Sequence, residues 1–207
     1  MIFPTLLVAT LATFILPLIL LETMNCCNLF PGQGTPTNNH GREPMVIVGE
    51  KELEIKKNQL LNIIPILSTE WILTLSVRLY AKETTWCNII HLTQNGKDVD
   101  YGDRTPFLAK RSSPSEFRIS SAVNGQTSHN FDIPGDVVVN QTYYFEIHQR
   151  YISNGSYRYS LELDGVEQYS ILNNDARQFY DVKVMASNNW QTKCPVLISN
   201  FKIINFL

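Results

Sequence analysis

The sequence predicts an all-β protein, an antiparallel two-sheet β-sandwich of jelly-roll type, and three observations carry that expectation. Apolar and polar residues alternate with period two in run after run, the pattern of strands buried on one face. Turn-forming residues separate those runs at intervals of roughly ten residues, as they do in sandwiches and barrels. No stretch shows the 3.6-residue period of a helix longer than a turn or two. With 207 residues and 44% hydrophobic content, the chain can bury a full core.

Met1 to Leu21, MIFPTLLVATLATFILPLILL, is apolar and carries no charge before Glu22. Residues 1–24 read as a secretory signal peptide, although the run lacks a basic start and a small-x-small cleavage site before Asn25. It is also long enough to span a bilayer, so an uncleaved N-terminal anchor is the competing reading. Residues 25–44, rich in Pro, Gly, Asn and Thr, read as a flexible linker. The sandwich domain is expected over residues 45–207.

Within it, Trp71, Leu73, Leu75, Val77 and Leu79 share one face of a strand. Asn88 to Thr93 is a short apolar run before a turn at Asn95-Gly96. Phe117 and Ile119 alternate, and Phe131 and Ile133 do so before Pro134-Gly135. Tyr143, Phe145 and Ile147 alternate with Tyr144, Glu146 and His148. Tyr157, Tyr159, Leu161 and Leu163 alternate with Arg158, Ser160, Glu162 and Asp164, and Asp164-Gly165 then marks a hairpin. A two-residue loop would set Glu162 opposite Glu167, but Tyr169 and Ile171 fall out of phase with Val166, which leaves the register open to a bulge. Val182, Val184 and Ala186 group together, and Cys194 to Phe206 closes the chain as an apolar strand.

The formal net charge of −2 and the scatter of the 17 basic residues argue against a nucleic-acid partner. The four cysteines, Cys26, Cys27, Cys87 and Cys194, allow three pairings, of which Cys87 with Cys194 is favoured. Adjacent Cys26 and Cys27 do not easily bond each other and would be free to link chains. No CxxC spacing suggests zinc. Two sequons, at Asn140 and Asn154, fall in expected loops and fit an exported chain. Together with the apolar leader they point to a secreted, extracellular glycoprotein, with membrane association only if that leader is retained.

Several runs, in this order, resemble the concanavalin A-like lectin/glucanase superfamily, the jelly-roll domains of the laminin-G and pentraxin kind. They are Glu70-Trp71-Ile72-Leu73-Thr74-Leu75, Asn88-Ile89-Ile90-His91-Leu92-Thr93, Tyr101-Gly102-Asp103-Arg104-Thr105-Pro106, Tyr143-Tyr144-Phe145-Glu146-Ile147, Leu163-Asp164-Gly165-Val166, Phe179-Tyr180-Asp181-Val182-Lys183-Val184 and Ile198-Ser199-Asn200-Phe201. The resemblance covers 45–207 and is similar to that of secreted single-domain animal proteins. It implies that the first and last strands share a sheet. It also implies a non-catalytic module binding a glycan or an extracellular protein.

Two other classes compete. Retaining glycosidases of this superfamily use two carboxylates about 5 Å apart, and Glu162-x-Asp164-x-x-Glu167 has their spacing. The Asp-Gly turn inside the motif argues instead for solvated hairpin carboxylates, so no catalytic residue is assigned. A disulfide-linked structural or matrix protein, joined through Cys26 and Cys27, is the other alternative. Asp98, Asp100 and Asp103 offer hard oxygens in one loop, which would suit calcium as a cofactor; Arg104 beside them would suit an ion pair instead. For a glycan, Trp190, Tyr101 and Trp86 are the candidate contact residues, with Tyr151 and Tyr180 also near strand ends; Trp190 has polar company in Ser187-Asn188-Asn189-Trp190-Gln191. The histidines, His40, His91, His129 and His148, are dispersed and form no triad. His91, in an apolar run, is expected to be interior.

Overall fold

The computed structural model describes residues 42–207. The expectations for the leader, for nearly all of the linker, for Cys26 and Cys27 and for His40 lie outside the described residues. Among the described residues every regular element is a strand.

Two seven-stranded sheets form the sandwich. The first runs β1 (Met45–Val48), β14 (Val196–Asn205), β4 (Trp71–Leu79), β9 (Thr142–Ser153), β10 (Ser156–Leu163) and β11 (Val166–Asn173), with the short β2 (Leu53–Glu54) also on β14. The second runs β3 (Gln59–Leu67), β12 (Phe179–Ala186), β5 (Cys87–Thr93), β6 (Phe107–Lys110), β7 (Phe117–Val123) and β8 (Gln126–Ile133). All these neighbours are antiparallel; β13 (Thr192–Lys193) alone lies parallel, against β5. The chain's last strand pairs its first, Met45 opposite Ile203.

Three of the tight turns use one device. Asn124-Gly125, Asn154-Gly155 and Asp164-Gly165 join β7 to β8, β9 to β10 and β10 to β11, and all six residues have positive φ. A type I′ hairpin turn requires that at both central positions, which Asn, Asp and Gly tolerate. The β10–β11 register does set Glu162 opposite Glu167, with the ladder slipping by one residue between Leu161 and Glu162. Gln168 is the extra residue of that bulge and restores Tyr169 to the face of Leu161.

The two inner faces meet in one core. Leu73, Leu75, Phe145, Ile147 and Leu161 of the first sheet pack against Ile89, Phe117, Ile119, Val182 and Val184 of the second. Phe117 stands edge-on to both Tyr143 and Phe145, at 5.1 and 5.0 Å between ring centres, which ties β7 to β9 across the sandwich. Tyr159 reaches from β10 to share a 2.6 Å hydrogen bond with Ser121 of β7. Where the two sheets meet along β8 and β11, Phe131 stacks on Tyr169 at 4.5 Å.

Candidate functional site

Inward-facing Val182 and Val184 leave Lys183 and Met185 pointing away from the core, onto the outer face of the second sheet. Register places Lys183 between Ile63 of β3 and Thr93 of β5, and Met185 between Leu60 and His91. Two loops rise over these residues. Together they form a groove of about 350 Å³ whose walls include Asn58, Asn95, Asn189 and Trp190.

The Trp190 loop is held from both sides. Ser187 donates its backbone N–H to the Ile89 carbonyl, and Cys194 donates to that of Asn88. Cys194 is also disulfide-bonded to Cys87, the first residue of β5. Between these anchors the Asn188 side chain accepts from the Gln191 backbone N–H at 2.8 Å and donates to its amide oxygen at 3.2 Å. Asn–backbone bonding of this kind closes a turn locally. Trp190 is thereby presented with 42% of its surface exposed.

Beneath it lies His91, 1% exposed, its ring edge-on to Trp190 on one side and to Phe107 on the other, both at 5.4 Å. His91 Nε2 bonds the Asp103 carbonyl, which assigns the ring proton to that nitrogen. Burial holds the imidazole neutral, pulling its pKa from 6.5 to about 4. The Trp190 platform therefore rests on a buried, neutral, oriented ring.

The opposite loop is organised by Asp103. Its buried carboxylate accepts backbone N–H bonds from Asn95, Val99 and Asp100, at 3.3, 3.3 and 3.0 Å. Gly102, at φ +106, lets the chain pass so close that a Cβ there would lie 2.4 Å from the Gln94 amide oxygen and 2.9 Å from Phe179. The loop thus holds Asn95, whose side-chain amide faces the groove without an internal partner among the described residues.

Of the three carboxylates expected to suit calcium, those of Asp98 and Asp103 have partners within the loop. Asp103 spends its oxygens on the loop backbone, and Asp98 is paired with Arg104 at 3.1 Å. Among the described residues no group of three acidic, His or Cys side chains is placed to hold a metal ion. The aromatic candidates also separate. Of Trp190, Tyr101 and Trp86, Trp190 lines the groove. The Tyr101 hydroxyl donates to the Asp175 carbonyl at 2.7 Å, and its ring packs on Phe179 under the Arg177 guanidinium. The Trp86 ring is covered by Arg111 and Arg118, at 5.9 and 5.0 Å. Tyr151 lies against Tyr157 on the first sheet, and the exposed Tyr180 on β12 accepts a bond from Gln178. Both sequon asparagines, Asn140 and Asn154, are exposed at turns.

On the outer face of the first sheet, Glu146, Glu162 and Glu167 stand in one row across β9, β10 and β11. Glu167 is held by Arg158 at 2.5 Å and by Ser170 at 2.8 Å. His148 Nε2 lies 3.1 Å from Glu146. The paired carboxylates of the glycosidase spacing therefore flank a hairpin end, one of them neutralised by an arginine of the adjoining strand.

Sequence inspection did not find Asn58, Leu60, Lys183 or Met185. The alternation of Val182, Val184 and Ala186 already implied that Lys183 and Met185 face outward. What they face was set by strand order.

No family model matches the sequence, and no curated protein does. Solved structures do match in shape. A substituted alginate lyase in complex with an alginate tetrasaccharide superposes with a TM-score of 0.50 at 14% identity, over 75% of this chain and 80% of that one. A heptameric SAP-like pentraxin from Limulus polyphemus gives 0.49 at 9%, over 76% and 73%. A sialidase CBM40 from Ruminococcus gnavus, bound to sialyllactose, gives 0.48 at 11%, over 78% and 92%. The fold is a jelly-roll β-sandwich. At such identities the likeness is one of fold.

Proposed function

We propose that this protein is an extracellular, non-catalytic module that binds a glycan in the groove beside Trp190. The carrying observation is an exposed Trp ring, immobilised on buried His91, next to the side-chain amides of Asn58, Asn95 and Asn189. A flat apolar face beside unengaged amide donors and acceptors matches a pyranose, which has an apolar C–H face and a rim of hydroxyls. Pockets of this size take small ligands by combining an apolar surface with a few placed polar groups. The fold alone decides nothing, since it also serves a lyase. The Cys87–Cys194 disulfide and the exposed sequons support an oxidising, exported setting.

A glycan array read with and without calcium, followed by titration of the best oligosaccharide, tests this reading. Wild type should bind with or without calcium, and Trp190→Ala should weaken binding by about 30-fold or more while leaving the fold intact. Binding unchanged in Trp190→Ala would sink it. A protein ligand is the second reading, favoured by exposed Leu60, Ile63 and Tyr180 near the groove; it predicts an empty array and a protein partner lost on Leu60→Asp.

A further inference from the structure

We infer that the ligand is an anionic glycan, a saccharide carrying a carboxylate or a sulfate, and that Lys183 is the residue that selects it. The inference rests on the glycan reading above and adds the substrate class. It comes from the charge balance of the groove lining, which holds one cation and no carboxylate.

The walls and floor of the groove comprise asparagines, Thr93, Gly96, Leu60, Met185, His91 and Trp190, with Lys183 as the one residue carrying a fixed charge. No carboxylate lines it, although the whole chain carries 19 acidic residues against 17 basic. Elsewhere on the surface, most arginines and Lys193 are matched, while several lysines are not. Arg78, Arg104, Arg111, Arg118, Arg158 and Lys193 each sit within 3.1 Å of a carboxylate oxygen. Lys183 is one of the exposed lysines whose ammonium has neither an ion pair nor a hydrogen bond among the described residues, and it is the one that lines the groove.

The reason lies in the register. Its cross-strand neighbours are Ile63 on β3 and Thr93 on β5, and neither offers a negative charge. From the loop facing it, Asn95 contributes a neutral amide; of that loop's acids, Asp98 is paired with Arg104, Asp103 bonds the backbone, and Asp100 is outside the groove lining. His91 donates its Nε2 proton to the Asp103 carbonyl and so adds no counter-charge. A lone ammonium on a partly apolar floor, beside a rigid aromatic ring, is suited to an anionic substituent on a stacked sugar. Lysine acts as a point charge and not as a planar fork, so carboxylate and sulfate share the required chemistry.

The test uses the folded protein and four tetrasaccharides of equal length: neutral, uronate-bearing, sialylated and sulfated. Each is titrated at about 0.05 and about 0.5 M salt. Wild type should bind at least one acidic arm about tenfold more tightly than the neutral one, with that advantage shrinking at high salt. Lys183→Gln should reduce the acidic arm to the affinity of the neutral one, and Lys183→Arg should retain most of the preference. The uronate and sialylated arms against the sulfated arm separate the two anions. Equal binding of neutral and acidic arms, unaltered by Lys183→Gln but lost in Trp190→Ala, would overturn the anionic inference and leave the glycan reading standing. Binding of none of the four, or binding indifferent to Trp190→Ala, would overturn both.

Discussion

The two outer faces of the sandwich place functional side chains in opposite ways. On the first sheet, Glu146, Glu162 and Glu167 come from successive strands of a meander joined by two-residue turns, and Arg158 and His148 satisfy their neighbours locally. On the second sheet, the groove draws on β3, β5 and β12 and on two loops that lie far apart in the chain. The first set spans residues 146–167; the second spans 58–190. Local proximity yielded a charge row in which Arg158 engages Glu167 and His148 engages Glu146, whereas long-range assembly yielded uncommitted amides, an open ring and an unmatched cation. Proximity in sequence makes carboxylates easy to notice, but it also places their counter-ions within reach.

The largest test of this contrast concerns the disulfide. It closes 107 residues and fastens the Trp190 loop to β5. Replacing Cys87 and Cys194 by Ser should lower stability by about 2–4 kcal/mol in denaturant melts. It should also speed amide exchange in residues 187–193 ahead of the Glu162–Glu167 hairpin, whose register it does not touch. Equal exchange at both sites would break the comparison.

Acid comes next. The unfolded chain takes a proton on His91 near pH 6.5, while the folded chain resists until about pH 4. Between those values the unfolded state binds the extra proton, so stability falls as pH drops through that window, by roughly 3 kcal/mol in all. His91→Gln should flatten the dependence measured in melts between pH 7 and 4. A wild-type slope unaltered by the substitution would show that the platform does not rest on a neutral ring.

A smaller effect follows from the edge-on contact of Trp190 with His91. Trp190→Ala lets water reach the imidazole, so its pKa should move back toward 6.5 and the acid loss should shrink by about 1 kcal/mol. An NMR titration of His91 reads this directly. An unmoved pKa would mean that Phe107 and the sheet provide all of the shielding.

The smallest effect lies on the first sheet. Glu162→Gln removes one of two directly opposed charges and should stabilise by a few tenths of a kcal/mol, with no change in glycan affinity. A clear loss of stability would mean that Glu162 has a partner more important than its repulsion from Glu167.

Strand identity was legible wherever one face is buried. Trp71 to Leu79, Tyr143 to Ile147 and Val182 to Ala186 alternate because the pleat sends successive side chains to opposite faces, and the core accepts only the apolar ones. The Asp164-Gly165 hairpin was equally legible, since positive φ at two adjacent residues restricts which amino acids can stand there. Phe107–Lys110 was not picked out as a strand: it is buried throughout and too short for an alternation to show. Trp190 stood out by its polar company, while Trp86 and Tyr101, similar in composition and setting, proved to be engaged by Arg118 and by Asp175.

The sequence by itself determined the sandwich class, the strand faces, the Asp164-Gly165 hairpin and the favoured cysteine pair, because each depends on neighbours a few residues away or on few alternatives; the hairpin's register came from the structure. Only the tertiary structure decided that β12 lies between β3 and β5, that Asp103 is spent on its own loop, and that Lys183 stands without a counter-ion beside Trp190. The physical reason is that strand order is set by how whole faces pack. A groove built across several strands therefore leaves no pattern in any one of them.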